Sequence, residues 1–398
     1  MERILVTGMG IITSMGAGKT QTMLSLRKEV AAIGKNTLLK TVHNDLPVGE
    51  VPFDDDSLKS MLDCELPKAI TRTTLLGRVA VKEAIEQSGL DKVRPKRLAF
   101  ISGTTVGGME KSEQYYRDFL ANDRHSEYIA LHDCGACTDM IAAQYAPGFD
   151  MMTTISTACS SAANAIILGA NLIKAGVVDA ALVGGSECLT KFHLNGFNSL
   201  MILDKDICRP FDRDRQGLNL GEGAGYIVIE SETSLNARGV KPICELSGYG
   251  NACDAFHQTA SSPDGQGAYL AMMEALKSAS LEPSDIDYIN AHGTGTPNND
   301  LSEGHAVMRV FGNNVPPISS TKSFTGHTTS ASGGVESVIS ILAIVNDFIP
   351  ANLGFSNRIE ELDFSPVAHS VEGASLRNVL TNSFGFGGND SSCIFSKI

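Results

Sequence analysis

Along this chain, short runs of β-favouring apolar residues alternate with stretches whose apolar positions recur at helical spacing. Residues 4–7, 98–102, 180–183, 226–230, 286–290, 379–382 and 393–395 read as strands. Residues 75–88, 161–175, 268–280 and 335–347 read as helices at 3.6-residue periodicity. Near-continuous apolar strands between amphipathic helices predict an α/β protein with buried sheets. A weak internal echo accompanies the pattern. A small-residue-rich helix opens at Ser161 and another at Ser332, and the Gly-rich turn and strand of residues 221–229 recurs at 387–395. Near-constant offsets suggest two similar halves, with the polar segment 231–242 as the seam and no flexible linker between them.

Composition narrows the classes. The 398 residues hold 32 Lys and Arg against 45 Asp and Glu, a net charge of −13. That excludes broad sequence-independent nucleic-acid binding, which needs a basic surface, and leaves room for a local basic patch. With 42% hydrophobic and 19% charged residues, the chain has material for a large core. No apolar run reaches the ~20 residues of a membrane span. Residues 1–16 carry Glu2 and Arg3 and are broken by Gly8 and Gly10, so they read as strand and turn instead of a secretory signal. Nine cysteines without framework spacing point to a reduced, cytoplasmic protein.

Three residues stand out chemically. Cys159, in Ile155-Ser-Thr-Ala-Cys-Ser-Ser-Ala-Ala, lies at a turn between a β-favouring run and a helix of small residues. The free N–H groups and dipole of that helix terminus are expected to lower the thiol pKa and favour the nucleophilic thiolate. His292 follows a predicted strand in Asn290-Ala-His-Gly-Thr-Gly-Thr, and His327 precedes a predicted helix in Thr321-Lys-Ser-Phe-Thr-Gly-His. Both sit at element ends, where a side chain reaches a cleft, and imidazole suits proton and hydrogen-bond work near neutral pH. Lys322 lies five residues before His327. Glu303 lies three after Asp300, in a segment that reads as a polar turn. The pair Cys134-x-x-Cys137 lacks a second pair at zinc-site spacing, so no metal site is expected.

Together these segments resemble the signature blocks of the elongating β-ketoacyl-acyl-carrier-protein synthases, types I and II. Thr157-Ala-Cys-Ser-Ser, Asn290-Ala-His-Gly-Thr-Gly-Thr, Thr321-Lys-Ser-Phe-Thr-Gly-His and Asn382-Ser-Phe-Gly-Phe-Gly-Gly occur in the family's order. Val6-Thr-Gly-Met-Gly, Arg209-Pro-Phe-Asp-Arg-Asp-Arg-Gln-Gly and Gly221-Glu-Gly-Ala-Gly match as well, so the likeness spans nearly the whole chain. The resemblance implies a thiolase-like fold, two halves (1–235 and 236–398) stacked as α-β-α-β-α layers. It implies that Cys159 carries an acyl thioester and that His292 and His327 stabilise the enolate of decarboxylating malonyl carrier protein. Lys322 and Glu303 would support the histidines, and the backbone N–H groups of Cys159 and Phe386 would form an oxyanion hole. Phe386 would act as a gate, with Thr294, Thr296, Thr259 and Phe384 along the phosphopantetheine path. Lys68, Arg72 and Arg209 would dock the acidic acyl carrier protein. Phosphopantetheine arrives on that carrier, so no free cofactor is expected. A homodimer is expected, with a heterodimer as the other arrangement.

The chain departs from the family pattern in two places. Gly387-Gly-Asn-Asp replaces the usual residues after the two glycines, and residues 133–140 are atypical in a region expected to shape the acyl pocket. Small Gly135 and Ala136 suggest a widened pocket and a polyene or polyketide-like pathway. The alternatives are a chain-length-factor-like partner subunit, against which Cys159 and both histidines speak, and a degradative thiolase, which would need a cysteine where His327 stands.

Overall fold

The computed structural model describes residues 2–122 and 124–398. The first half runs β1 (Ile4–Thr13), α1 (Arg72–Ser88), β2 (Leu98–Gly103), α2 (Met109–Asn122), α3 (Cys134–Ala142), β3 (Met151–Ile155), α4 (Ser161–Lys174), β4 (Ala180–Glu187), α5 (Lys191–Ser199) and β5 (Gly223–Ser231). The second runs β6 (Cys244–Cys253), α6 (Gln266–Ala279), β7 (Tyr288–Asn290), α7 (Pro297–Phe311), β8 (Ile318–Ser319), α8 (Ser332–Asn346), β9 (Asn378–Gly385) and β10 (Asn389–Ser396).

The strands lie in the order β3-β2-β4-β5-β1 in one half and β8-β7-β9-β10-β6 in the other. These are the same topology, with parallel and antiparallel pairings in the same places. The two sheets join at one short antiparallel seam, Leu5 with Glu245 and Val6 with Cys244. The echoed sequences occupy equivalent positions, α4 with α8 and β5 with β10.

Strand alternation builds the layers. On β2, Leu98 and Phe100 enter an outer core under α1 and α3, whereas Ala99 and Ile101 enter the central core around α4 and α8. In the second half, Ile289, Leu380 and Ile394 pack outward beneath α6 and α7, and Tyr288, Val379 and Phe395 pack inward. Both inner faces thus close on the α4–α8 pair, giving five α-β-α-β-α layers, the thiolase-like arrangement. The segment Thr329–Asn346 is long and apolar enough to cross a membrane by length and composition; 89% of it is buried between the sheets.

Several expectations change. The first strand extends to Thr13, through Gly8 and Gly10, which the sequence marks as breaks. Side chains there would strike the backbone of α1: a Cβ on Gly8 would lie 2.3 Å from the Ala84 carbonyl oxygen, and one on Gly10 2.0 Å from that of Ala80. Residues 134–142 form a helix, and Gly135 is exposed. Cys134 and Cys137 are free thiols, Cys137 buried and accepting a hydrogen bond from the Thr74 hydroxyl. No cluster of metal-ligating side chains occurs among the described residues. α2 has no fully buried residue, and the edge strand β3 leaves Met151 and Met152 exposed.

Candidate active site

The central helices carry the chemistry. Cys159 stands just before α4, on a turn whose preceding residue, Ala158, is held at a left-handed φ of 50°. The turn is tied down on every side. The Ser161 hydroxyl donates to the Ala158 carbonyl, the Ser160 hydroxyl to the Thr157 carbonyl, and the Ser383 hydroxyl to the Cys159 carbonyl. Asn389 Oδ1 accepts from Ser160 and from Asn164, so the second half of the molecule clamps the nucleophile's turn. This gives the atypical Gly387-Gly-Asn-Asp segment a structural role that the sequence did not disclose.

His327, immediately before the turn into α8, places Nε2 3.0 Å from the Cys159 Sγ. Its Nδ1 lies 3.0 Å from the Ser332 hydroxyl. A hydroxyl both donates and accepts, so Ser332 can serve either tautomer of the ring. His292 meets His327 edge-to-face, with ring centroids 5.4 Å apart, and lies 5.7 Å from Phe384. Both imidazoles are held well below their ordinary pKa, by burial first and then by the nearby Lys322 charge. They are neutral at physiological pH.

The thiol behaves differently from the expectation drawn from the helix terminus. Full burial pushes Cys159 up to about 12, outweighing the pull of Lys322 and of the Phe386 backbone N–H. Burial thus favours the protonated thiol, beside an imidazole whose protonation burial disfavours. The Phe386 backbone N–H faces the sulfur.

Lys322 and Glu303, both expected to support the histidines, do not pair with each other. Lys322, 2% exposed, binds Glu336 of α8, 3% exposed, not Glu303. Glu303 lies on α7, not in a turn, and receives the backbone N–H groups of His292 and Gly293 at 2.9 and 2.7 Å and the Asn382 amide at 3.0 Å. It fixes the loop that presents His292, while Glu336 fixes Lys322. Glu336 was hidden in the sequence by the apolar pattern of its helix. Glu187, at the end of β4, is a further buried carboxylate that the sequence reading missed. It accepts from Thr104, Thr105, the Val106 N–H and Ser330, bracing the segment that follows His327.

Two cavities meet at Cys159. One, of about 310 Å³, has His292, His327 and Phe384 in its wall together with Thr294, Thr296 and Thr259. The other, of about 330 Å³, lies beyond Phe386 and Phe197, whose rings stack at 5.6 Å between the two. Gly387, with φ at +83°, gives the loop after Phe386 a conformation that a side chain would resist. Gly135 and Ala136 line neither cavity, so the expected widening does not come from them.

The docking candidates separate. Lys68 is exposed and Arg209 half-buried. Arg72 is committed inside the protein: it pairs with Glu222 at 2.6 Å and Asp55 at 3.1 Å and donates to the carbonyls of Val51 and Phe53. A guanidinium so engaged is a structural brace, not a free docking charge.

Comparison with known proteins agrees with this geometry. The family models described as Beta-ketoacyl synthase, N-terminal domain, and Beta-ketoacyl synthase, C-terminal domain, match residues 1–234 and 243–356. The chain is 31% identical to 3-oxoacyl-[acyl-carrier-protein] synthase 2 of Staphylococcus aureus strain COL, over 100% of this chain and 98% of the relative. It is 33% identical to the protein of the same name from a Synechocystis species, at the same coverage. Among solved structures, the ishigamide ketosynthase/chain length factor superposes with a TM-score of 0.92 at 30% identity, covering 100% of this chain and 99% of that one. The Xenorhabdus doucetiae ketosynthase ApeO with its chain length factor ApeC gives 0.85, also at 30% identity, over 100% and 98%. With full-length matches and the cysteine and two histidines converging on one cavity, this chain belongs to the β-ketoacyl synthase family, as a 3-oxoacyl-acyl-carrier-protein synthase-type enzyme.

Proposed function

We propose that the chain catalyses decarboxylative condensation of malonyl-acyl carrier protein with an acyl group held on Cys159, giving a 3-oxoacyl carrier two carbons longer. The observation that carries this reading is the buried Cys159–His327 contact at 3.0 Å with His292 against the same cavity.

In the first half-reaction, Cys159 Sγ attacks the carrier thioester while its proton passes to His327 Nε2. The tetrahedral oxyanion is held by the backbone N–H groups of Cys159 and Phe386, and the proton leaves on the departing pantetheine thiol. In the second, malonyl carrier loses carbon dioxide. N–H groups of His292 and His327 bind the enolate oxygen, in the field of the buried Lys322. The enolate carbon attacks the Cys159 thioester, and the released thiolate takes up a proton. Neutral imidazoles suit this step, because hydrogen-bond donation to a developing oxyanion needs one N–H and no net charge on the ring.

Threonines 294, 296 and 259 and Phe384 form the pantetheine path, and Phe386 opens it. Carrier docking falls to Lys68 and Arg209. No free cofactor takes part; phosphopantetheine comes on the carrier, in the cytoplasm. We take 1–235 and 236–398 as the two thiolase-like halves, a division supported by the repeated strand order. A dimer is supported by the unburied α2 and the exposed edge strand β3. A heterodimer is the other form, because similar chains occur as ketosynthases with chain length factors.

The test is intact-mass analysis of carrier-bound products formed from malonyl carrier and octanoyl carrier. The wild type is expected to yield the 3-oxodecanoyl carrier, and Cys159→Ala none. Folded wild-type protein that neither acylates nor extends would support the non-catalytic partner instead.

A further inference from the structure

The cavity beyond Phe386 has an unusual wall. In a chain with 16 Phe, 8 Tyr and no Trp, the rings of Phe192, His193, Phe197 and Phe386 line one space of about 330 Å³ that reaches the Cys159 sulfur and opens at the surface beside the exposed Phe192. Thr105, Ser199 and Thr329 also border it, but little of its surface is polar. His193 is set by the first turn of α5, where the Thr190 hydroxyl accepts its backbone N–H at 3.0 Å. Its ring lies 5.9 Å from that of Phe192 and stands edge-on to Phe197 at 6.0 Å and 89°.

The ring is 6% exposed and makes no hydrogen bond to any described residue. Burial keeps it neutral, with a lowered pKa. Its nitrogens are not among the buried polar atoms sealed away without a partner, so the imidazole edge stays free to meet a bound chain, as a leucine or phenylalanine in the same wall could not.

We propose that His193 is a specificity-determining residue of the acyl cavity and that the chain it selects is a flat, conjugated polyenoyl group. This rests on the condensation reading above. Aromatic faces and edges interact with a π-system through dispersion and quadrupole terms that a saturated, rotating chain does not match. An imidazole N–H aimed at a double bond adds a weak hydrogen bond. A rigid polyene also gives up less rotamer freedom than a saturated chain on being held against this wall. A poly-oxo chain would fit the cavity less well, since each carbonyl wants a donor and the wall supplies chiefly rings.

The test compares octanoyl, 2,4,6-octatrienoyl and 3-oxooctanoyl carriers of equal length, each with malonyl carrier, by kcat/KM. The wild type is expected to favour octatrienoyl over octanoyl by at least about tenfold, within the range that pocket contacts give. His193→Leu is expected to reduce that ratio to about threefold or less. Equal kcat/KM for octanoyl and octatrienoyl, or a preference for 3-oxooctanoyl, in the wild type overturns the proposal and leaves the condensation reading intact. A ratio that stays high in a His193→Leu protein with a wild-type melting curve overturns the role of His193. No extension of any primer overturns the condensation reading and this proposal with it.

Discussion

At the scale of single residues, burial disfavours charge on the Cys159 thiol and on both imidazoles. Because burial pushes the Cys159 thiol up to about 12, its alkylation by iodoacetamide is expected to speed up about tenfold per pH unit from 7 to 10, without a plateau. Peptide mass mapping would follow Cys159 separately from the exposed Cys64 and Cys253. A rate already flat at pH 7 would reveal a resident thiolate. The three reacting side chains were legible in the sequence because each stands at an element end beside glycine, serine or threonine. Glu336 was not legible. It sits fourteen residues from Lys322 on a helix whose other positions are nearly all apolar or small, and only the fold brings the two together. Removing its charge leaves a buried ammonium uncompensated, so Glu336→Gln is expected to cost about 3–5 kcal/mol in urea unfolding.

Among elements, the α4–α8 contact decides whether the sulfur and imidazole meet. Gly333 lies against α4 so closely that a Cβ would come within 2.6 Å of the Ala163 backbone nitrogen. Gly333→Ala is expected to destabilise by about 1–3 kcal/mol, as overpacking does. Because it pushes the Cys159 helix from the His327 helix, acylation is expected to slow more than tenfold even where the protein stays folded. Melting curves and single-turnover acylation of the same sample would separate the two effects; a rate loss no larger than the unfolded fraction would contradict this account. The same logic explains where element prediction succeeded. Strand centres such as residues 98–102 and 180–183 were clear because they are apolar on both faces. The far end of β1 was hidden because Gly8 and Gly10, which read as chain breaks, are the places where α1 approaches the sheet too closely for any side chain.

For the whole molecule, titration limits stability on both sides. His292, His327 and His193 have folded pKa values below their unfolded value of about 6.5, so their contribution is present above that pH and is lost as pH falls below it. Asp390, Glu336 and Glu110 are raised, to about 8, about 7 and about 7, chiefly by burial, so theirs is fully present below their unfolded values near 4 and is lost as pH rises through those folded values. Below about pH 6.5 the two sets oppose one another; above it the carboxylates act alone, so the melting temperature is expected to fall from about pH 6.5 to about pH 8. A melting temperature that rises over that interval would contradict these assignments. Two-fold internal similarity was faintly legible as sequence offsets, but the shared strand order that gives it meaning depends on long-range pairings no local pattern encodes.

The unfinished side of the molecule has a consequence for any assay. If a helix with no buried residue and an edge strand with Met151 and Met152 bare are covered by another chain, as in the dimer proposed above, that cover obeys mass action. Turnover per molecule is then expected to fall as the enzyme is diluted from micromolar to nanomolar and to return on concentration, whereas a constant value across that range would mean the single chain is sufficient. Rates measured at one enzyme concentration would otherwise confuse how well the site works with how much of the enzyme is assembled.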